Sequence, residues 1–180
     1  MSSYPLAVNR IRTAHLKFPE TGGKFGSKAR GSRGHFGWDL VALPGTPVFS
    51  IASGIITFVN ENVPDYGAVI QLKFVHGSKT YWALYAHLST TIWVHVGQSV
   101  SQGQVIGNTG SSGRSAKGEP PHLHFEIATS RDLKRGRRNQ IDPSIVLGTF
   151  LNDHRAGDAI YRESDFELNL DGYLTLTHTA

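Results

Sequence analysis

The stretch GAVIQLKFVHGSKTYWALYAHL, residues 67–88, constrains the fold more than any other part of the chain. It holds two apolar runs, 67–76 and 79–88, separated only by Gly77 and Ser78. β-Branched and aromatic residues crowd both runs, and a two-residue link containing Gly is the signal of a tight hairpin. In the second run Tyr81, Ala83, Tyr85 and His87 alternate with Trp82, Leu84, Ala86 and Leu88. Successive strand side chains point to opposite faces. One face therefore reads as core, the other as a cleft wall ending in His87. Similar short runs surround this pair. TPVFSIASGIITFVN (46–60) carries Gly54, which reads as a bulge or turn. WVHVGQSVSQGQVIGNTG (93–110) is punctuated by four glycines. With 20 Gly in 180 residues, the chain reads as all-β. PSIVLGTFL (143–151) reads as a short helix or turn, and FELNLDGYLTLT (166–177) as a hairpin around Asp171 and Gly172.

A second alternation carries the chemistry. PPHLHFEI (120–127) puts His122, His124 and Glu126 on one strand face and Leu123, Phe125 and Ile127 on the other. The apolar set reads as core. The polar set is a row of groups that bind protons or metals. The chain contains no Cys, so a metal must be held by His and carboxylates. RGHFGWDLVALPGTPV (33–48) offers His35 and Asp39, four residues apart. Gly37 and Pro44 argue against a helix there, and a turn into a strand brings the two together equally well. Adding a His from the 122–124 strand gives three protein ligands. That is the composition of a catalytic zinc site with an open fourth position.

Other function classes find less support. The formal charge of +4 suits an anionic partner such as a bacterial wall polymer. The basic cluster Lys134, Arg135, Arg137 and Arg138 has no interleaved aromatic residues, so nucleic acid is not an expected partner. No run approaches the roughly 18 apolar residues that would insert in a membrane. The opening, MSSYPLAVNRIRTAHLKF, lacks the pattern of a secretory signal, which predicts synthesis in the cytoplasm. Trp38 reads as core. His15, His76, His95, His154 and His178 fall in no motif and read as structural or surface residues.

HFGWD (35–39), YAHL (85–88) and PHLHFE (121–126) occur in that order, with the Gly-punctuated run GQSVSQGQVIGNTG before the last. Together they resemble the lysostaphin/LytM-type zinc endopeptidases of bacterial cell walls. The resemblance runs from about residue 33 to 148. It implies an antiparallel β-sheet core with a loop-walled groove and little helix. It implies that His35, Asp39 and His124 bind one Zn2+ ion. His87 and His122 stay off the metal and assist water attack on peptide bonds of peptidoglycan stems or cross-links. Tyr85, Asn108, Ser112 and Glu126 are the candidates for lining the groove. For two of them a second reading stands: Tyr85 packs in the core, and Glu126 holds a ligand imidazole from behind. The implied organisation is an arm over 1–32 packing on or near the groove, the endopeptidase domain over 33–148 and an extension over 149–180. GRSAKGE (113–119) is longer than the family's loop and is expected to be exposed beside the zinc, where it sets substrate preference.

Rival readings follow from the same residues. A non-catalytic LytM-like activator of another wall hydrolase would have lost metal ligands, and none is lost. VHVGQSVSQGQVIG also resembles the half-repeat of biotinyl and lipoyl carriers, but no attachment Lys sits at a hairpin tip. The absence of an export signal suggests a toxin delivered to the periplasm of rival cells by a type VI-like machine. A cognate immunity protein would then plug the groove. A phage lysis enzyme is the alternative.

Overall fold

The computed structural model describes residues 4–7, 9–12, 23–27, 34–132 and 139–148, and the backbone of 152–153, 166–168 and 174–176. Among them an 11-stranded sheet dominates. Its central hairpin joins β5 (Gly67–His76) to β6 (Lys79–Ile92), with His76 opposite Lys79. Gly77 turns the chain at φ 60°, where a side chain would be strained. β4 (Gly54–Val63) flanks β5, and β9 (His122–Ala128) flanks β6. β2 (Trp38–Val41) pairs with the far edge of β9, and β1 (Arg10–Ile11) with β2. β3 (Pro47–Phe49), β7 (Ser99–Val100), β8 (Val105–Thr109) and β10 (Gln140–Ile141) complete the antiparallel pairings. β11 (Asn152–Asp153) adds to β1 in parallel. Helix is confined to α1 (Ser144–Leu147) and a single 3-10 turn, Arg114–Ala116, among the described residues. β12 (Phe166–Leu168) and β13 (Leu174–Leu176) pair antiparallel, and the turn residues Asp171 and Gly172 lie outside the described residues. No described helix is long and apolar enough to cross a membrane.

The two faces of the sheet differ. Leu123, Phe125 and Ile127 of β9 are fully buried in the main core with Leu40, Ile56, Leu72 and Ile106. Burying each such side chain is worth about 1.5–3 kcal/mol. A one-residue slip of β9 would exchange them for His122, His124 and Glu126, so the register is strongly specified. The opposite face carries a smaller cluster, Val69, Leu84 and Ala86, with Phe58, Val63 and Tyr66 packed around it.

The alternation along β6 breaks where the sequence gives no sign of it. Tyr81, Ala83 and Tyr85 face the core, as does Leu88, while Leu84 and Ala86 face the other way. Ala68 pairs with Leu88 but Ile70 pairs with Tyr85, so Ala86 and His87 together stand opposite Val69. This is a β-bulge, with one extra residue on β6. His87 takes φ 59°, the only non-glycine positive φ among the described residues. The bulge separates His87 from the face that holds Tyr85, so the predicted shared face of these two residues is corrected. Gly54 is a second correction. It pairs regularly with Phe74 and Val100, and the β4 irregularity comes later, between Ile56 and Phe58. A Cβ on Gly54 would sit 2.3 Å from the Lys73 carbonyl oxygen, so close approach is its reason.

Candidate metal centre

The β2–β9 register sets Asp39 directly opposite His124, and Val41 opposite His122. His35 arrives from the turn before β2. A Cβ on Gly37 would lie 2.3 Å from the Phe125 carbonyl oxygen, so the backbone of this turn crosses β9 only with glycine there. The segment is pinned from the N-terminal side too. The Asp39 amide donates to the Gly23 carbonyl at 2.9 Å, and the Gly26 amide to that of His35 at 2.7 Å.

Three donor atoms converge. Asp39 Oδ1 lies 2.8 Å from His124 Nδ1 and 3.2 Å from His35 Nε2, and the two nitrogens are 3.2 Å apart. Around a tetrahedral zinc with bonds of ~2.0–2.1 Å, neighbouring donors stand about 3.3 Å apart. All three residues are buried and form a group able to hold a metal ion. Each imidazole has its other nitrogen engaged. His35 Nδ1 donates to the Lys24 carbonyl at 3.1 Å, which leaves Nε2 as a lone pair facing the centre. His124 Nε2 lies 2.9 Å from Glu126 Oε1 and donates to it. A carboxylate behind a ligand imidazole fixes its tautomer and raises its basicity. The donor set therefore fits a divalent ion in chemistry and in spacing.

The electrostatics agree. Burial opposes ionisation of Asp39, yet the neighbouring His35 and His122 imidazoles and the side-chain contacts with His124 and His35 hold its carboxyl well below the usual range. Burial also disfavours a charged His124, but its bonds to Asp39 and Glu126 outweigh that and raise it to about 9. Two carboxylates thus demand positive charge at this spot, as a proton or as a metal ion.

His87 and His122 stand beside the three donors. Their rings are 5.0 Å apart, and the His87 ring is 5.8 Å from that of His124. His122 Nε2 lies 3.7 Å from Asp39 Oδ1. His87 Nδ1 bonds the Ser112 carbonyl at 2.9 Å and His122 Nδ1 bonds the Pro120 carbonyl at 2.8 Å. A carbonyl only accepts, so both Nδ1 atoms carry hydrogen and both Nε2 atoms keep a lone pair. Burial, reinforced by the neighbouring His124, lowers His87 to about 4. Burial, opposed by Asp39 and aided by Arg12 and His87, lowers His122 to about 3. Both imidazoles are neutral near pH 7.

The four groove candidates divide. Tyr85 is corrected: it is fully buried in the main core against Phe125, and its hydroxyl accepts from the Ile51 amide at 3.0 Å. Burial raises its phenol above the ordinary range. For Glu126 the groove reading is corrected, and the second reading, a carboxylate behind the His124 imidazole, matches its position. It is buried behind His124, where it also accepts from the Tyr66 hydroxyl at 2.7 Å and from Gln140 Nε2 at 3.3 Å. Asn108 and Ser112 line an open hollow of about 370 Å³ with Pro44, Gly45 and Ser89. The Ser112 hydroxyl itself is taken up by the backbone, bonding the Ala68 amide at 2.8 Å and the Leu88 carbonyl at 2.6 Å.

The loop over 113–119 is only partly exposed. Arg114, Lys117 and Gly118 face solvent, but Ala116 is buried. The amide of Arg114 donates to the Pro64 carbonyl at 3.0 Å and that of Ser115 to the Asp65 carbonyl at 3.2 Å. His76 and His95 are exposed. His15, His154, His178 and the basic cluster over 134–138 lie outside the described residues.

A model of Peptidase family M23 matches residues 33–143, which contain His35, Asp39, His87, His122 and His124. The chain belongs to peptidase family M23. It is 37% identical over 123 residues, 68% of its length, to the cell division protein DipM of Caulobacter vibrioides. It is 40% identical over 103 residues, 57% of its length, to the peptidoglycan DD-endopeptidase ShyA of Vibrio cholerae. These matches take in 19% and 21% of those relatives, so the chain spans about a fifth of their length. The catalytic domain of the antimicrobial peptidase lysostaphin from Staphylococcus simulans superposes with a TM-score of 0.54 at 32% identity, covering 64% of this chain and 80% of that one. The antiparallel, helix-poor sheet is that of the lysostaphin-type fold.

Several partners of the centre come from parts of the chain that carry no motif. Arg12 bonds Asp39, Tyr66 bonds Glu126, and the Lys24 carbonyl holds His35. Each lies far along the chain from the residue it serves, or in a segment that reads as irregular. No spacing signal marks them.

Proposed function

We propose that this M23 chain is a zinc endopeptidase that hydrolyses peptide bonds in peptidoglycan stems or cross-links. The carrying observation is the convergence of His35 Nε2, Asp39 Oδ1 and His124 Nδ1 beside two neutral imidazoles. When bound there, zinc supplies Lewis acidity and a water whose pKa is brought to about 7. The protein supplies the rest. Nε2 of His87 or His122 takes the proton of the attacking water. The other ring steadies the developing oxyanion or protonates the leaving amine. Proton transfer of this kind contributes roughly 10²–10⁴-fold. The carbonyls of Ser112 and Pro120 keep each ring in the tautomer this requires. Relatives named as endopeptidases of peptidoglycan and of glycyl-glycine bonds support the substrate class. The complete donor set favours an enzyme over a non-catalytic activator.

The test is digestion of purified peptidoglycan by the zinc-loaded protein, with mass spectrometry of the new amine ends. Products must appear with the wild type and vanish with His124→Ala. Expression in Escherichia coli with an added export signal should lyse or round the cells, and cytoplasmic expression should not. Intact peptidoglycan after digestion would sink the proposal.

A further inference from the structure

We infer that Arg12 is a positioning residue of the metal centre, and that through Glu119 it couples the 112–120 loop to the ligand Asp39. The inference rests on the metal reading given under the proposed function, and it concerns residues that reading does not use.

The two carboxylate oxygens of Asp39 have separate partners. Oδ1 faces His35 and His124, while Oδ2 accepts from an Arg12 guanidinium nitrogen at 2.7 Å. Arg12 is 1% exposed and Asp39 is not exposed at all. A buried guanidinium bond of this length is charge-assisted and directional. It commits Oδ2 away from the centre and leaves Oδ1 as the oxygen a metal would meet. The backbone fixes Arg12 in place: its amide donates to the Asp39 carbonyl at 2.7 Å, and Ile11 pairs with Leu40. A Cβ on Gly23 would lie 2.3 Å from the Arg12 carbonyl oxygen, so residue 23 passes close against it.

Arg12 also reaches the loop. A second guanidinium nitrogen donates to Glu119 Oε2 at 2.9 Å. A buried guanidinium is tolerated when its donors are hydrogen-bonded, and Glu119 takes one that Asp39 does not. Glu119 therefore helps to keep Arg12 where Asp39 needs it. The same loop presents the Ser112 carbonyl to His87 and the Pro120 carbonyl to His122. Its two ends thus touch the centre at three points: both imidazoles off the metal and, through Arg12, one ligand. The loop is a positioning element as well as a wall.

The full chain, stripped of metal, is titrated with Zn2+ in competition with a chromophoric chelator. One Zn2+ per wild-type chain and none in His124→Ala establish the metal reading by themselves. A wild type that binds no Zn2+ overturns that reading, which distinguishes its failure from failure of the present inference. Arg12→Met is then expected to weaken Zn2+ binding about tenfold or more, the usual effect of losing an outer partner of a ligand. Arg12→Lys should recover part of the loss. Glu119→Gln should weaken binding about threefold, and the Arg12→Met/Glu119→Gln pair should be no weaker than Arg12→Met alone. A purely structural Arg12 would lower the melting temperature of the metal-free protein and leave the Zn2+ affinity of Arg12→Met unchanged, and that result overturns the inference. If Arg12→Met does not fold, wild-type affinity in both Arg12→Lys and Glu119→Gln overturns it. A weakened Arg12→Met beside an unchanged Glu119→Gln, or additive losses in the pair, overturns the coupling to the loop.

Discussion

Asp39 and His124 are backed by charged side chains, whereas His87 and His122, like His35, are held by main-chain carbonyls, those of His87 and His122 lying at the two ends of one loop. Asp39 and His124 face each other across the β2–β9 ladder, and Glu126 and Arg12 grip them from behind. His87 leans on the Ser112 carbonyl and His122 on that of Pro120. The difference matches what the proposed function asks of each set. A ligand group has to keep its donor atom and its spacing, and at Asp39 and His124 the buried charged partners hold both. A group that moves protons must stay neutral and keep one lone pair. A neutral carbonyl fixes its tautomer without charging it. The burial that lowers both imidazoles, to about 4 and about 3, keeps them uncharged.

The sharpest way to break this comparison is to remove one member of each set. His35→Ala, Asp39→Ala or His124→Ala should each take bound zinc from one ion per chain to nearly none, because a three-ligand site tolerates no loss. Metal analysis after dialysis measures this, and full zinc in all three variants would falsify the assignment. His87→Ala and His122→Ala should keep their zinc yet lose roughly 10²–10⁴-fold in kcat. A folded but metal-free variant of either would move that residue into the first set. Glu126→Gln refines the comparison within the ligand set. It keeps the shape but removes the charge behind His124, and zinc affinity should fall about tenfold by chelator competition.

Smaller effects sharpen the other side. Excising part of 114–118, with Ser112, Glu119 and Pro120 kept, should change the preferred cross-link while zinc stays bound. An unchanged product profile would reduce this stretch to decoration. The smallest expected effect concerns the bulge. At φ 59° His87→Gly removes a left-handed strain that His87→Ala retains, so the Gly variant should be about 1 kcal/mol more stable in urea unfolding. Equal stabilities would mean that the surrounding sheet, and not the residue, sets the backbone there.

His87 also marks where sequence reading stopped. The hairpin turn and the apolar face of β9 lie in local spacing, because period-two alternation and glycine placement are written residue by residue, whereas the grouping of HFGWD with HLHFE rests on the lack of cysteine and on the family resemblance. The bulge is not written locally. Tyr85 and His87 look like neighbours on one face, and only the pairing of Val69 against two residues of β6 parts them. Glu126 shows the same limit, since its position on the polar face was legible but its burial under Tyr66 and Gln140 was not.

The sequence by itself determined the all-β class, the core side of β9 and the residue types available to the candidate metal centre, since alternation, glycine spacing and the lack of cysteine can be read without the fold. Tertiary structure alone decided which Asp39 oxygen faces inward, which nitrogen of each imidazole is free, and that Arg12 and Glu119 belong to the centre. Those are contacts between segments as much as 107 positions apart, and no local pattern encodes a partner that the chain meets only after the sheet has closed.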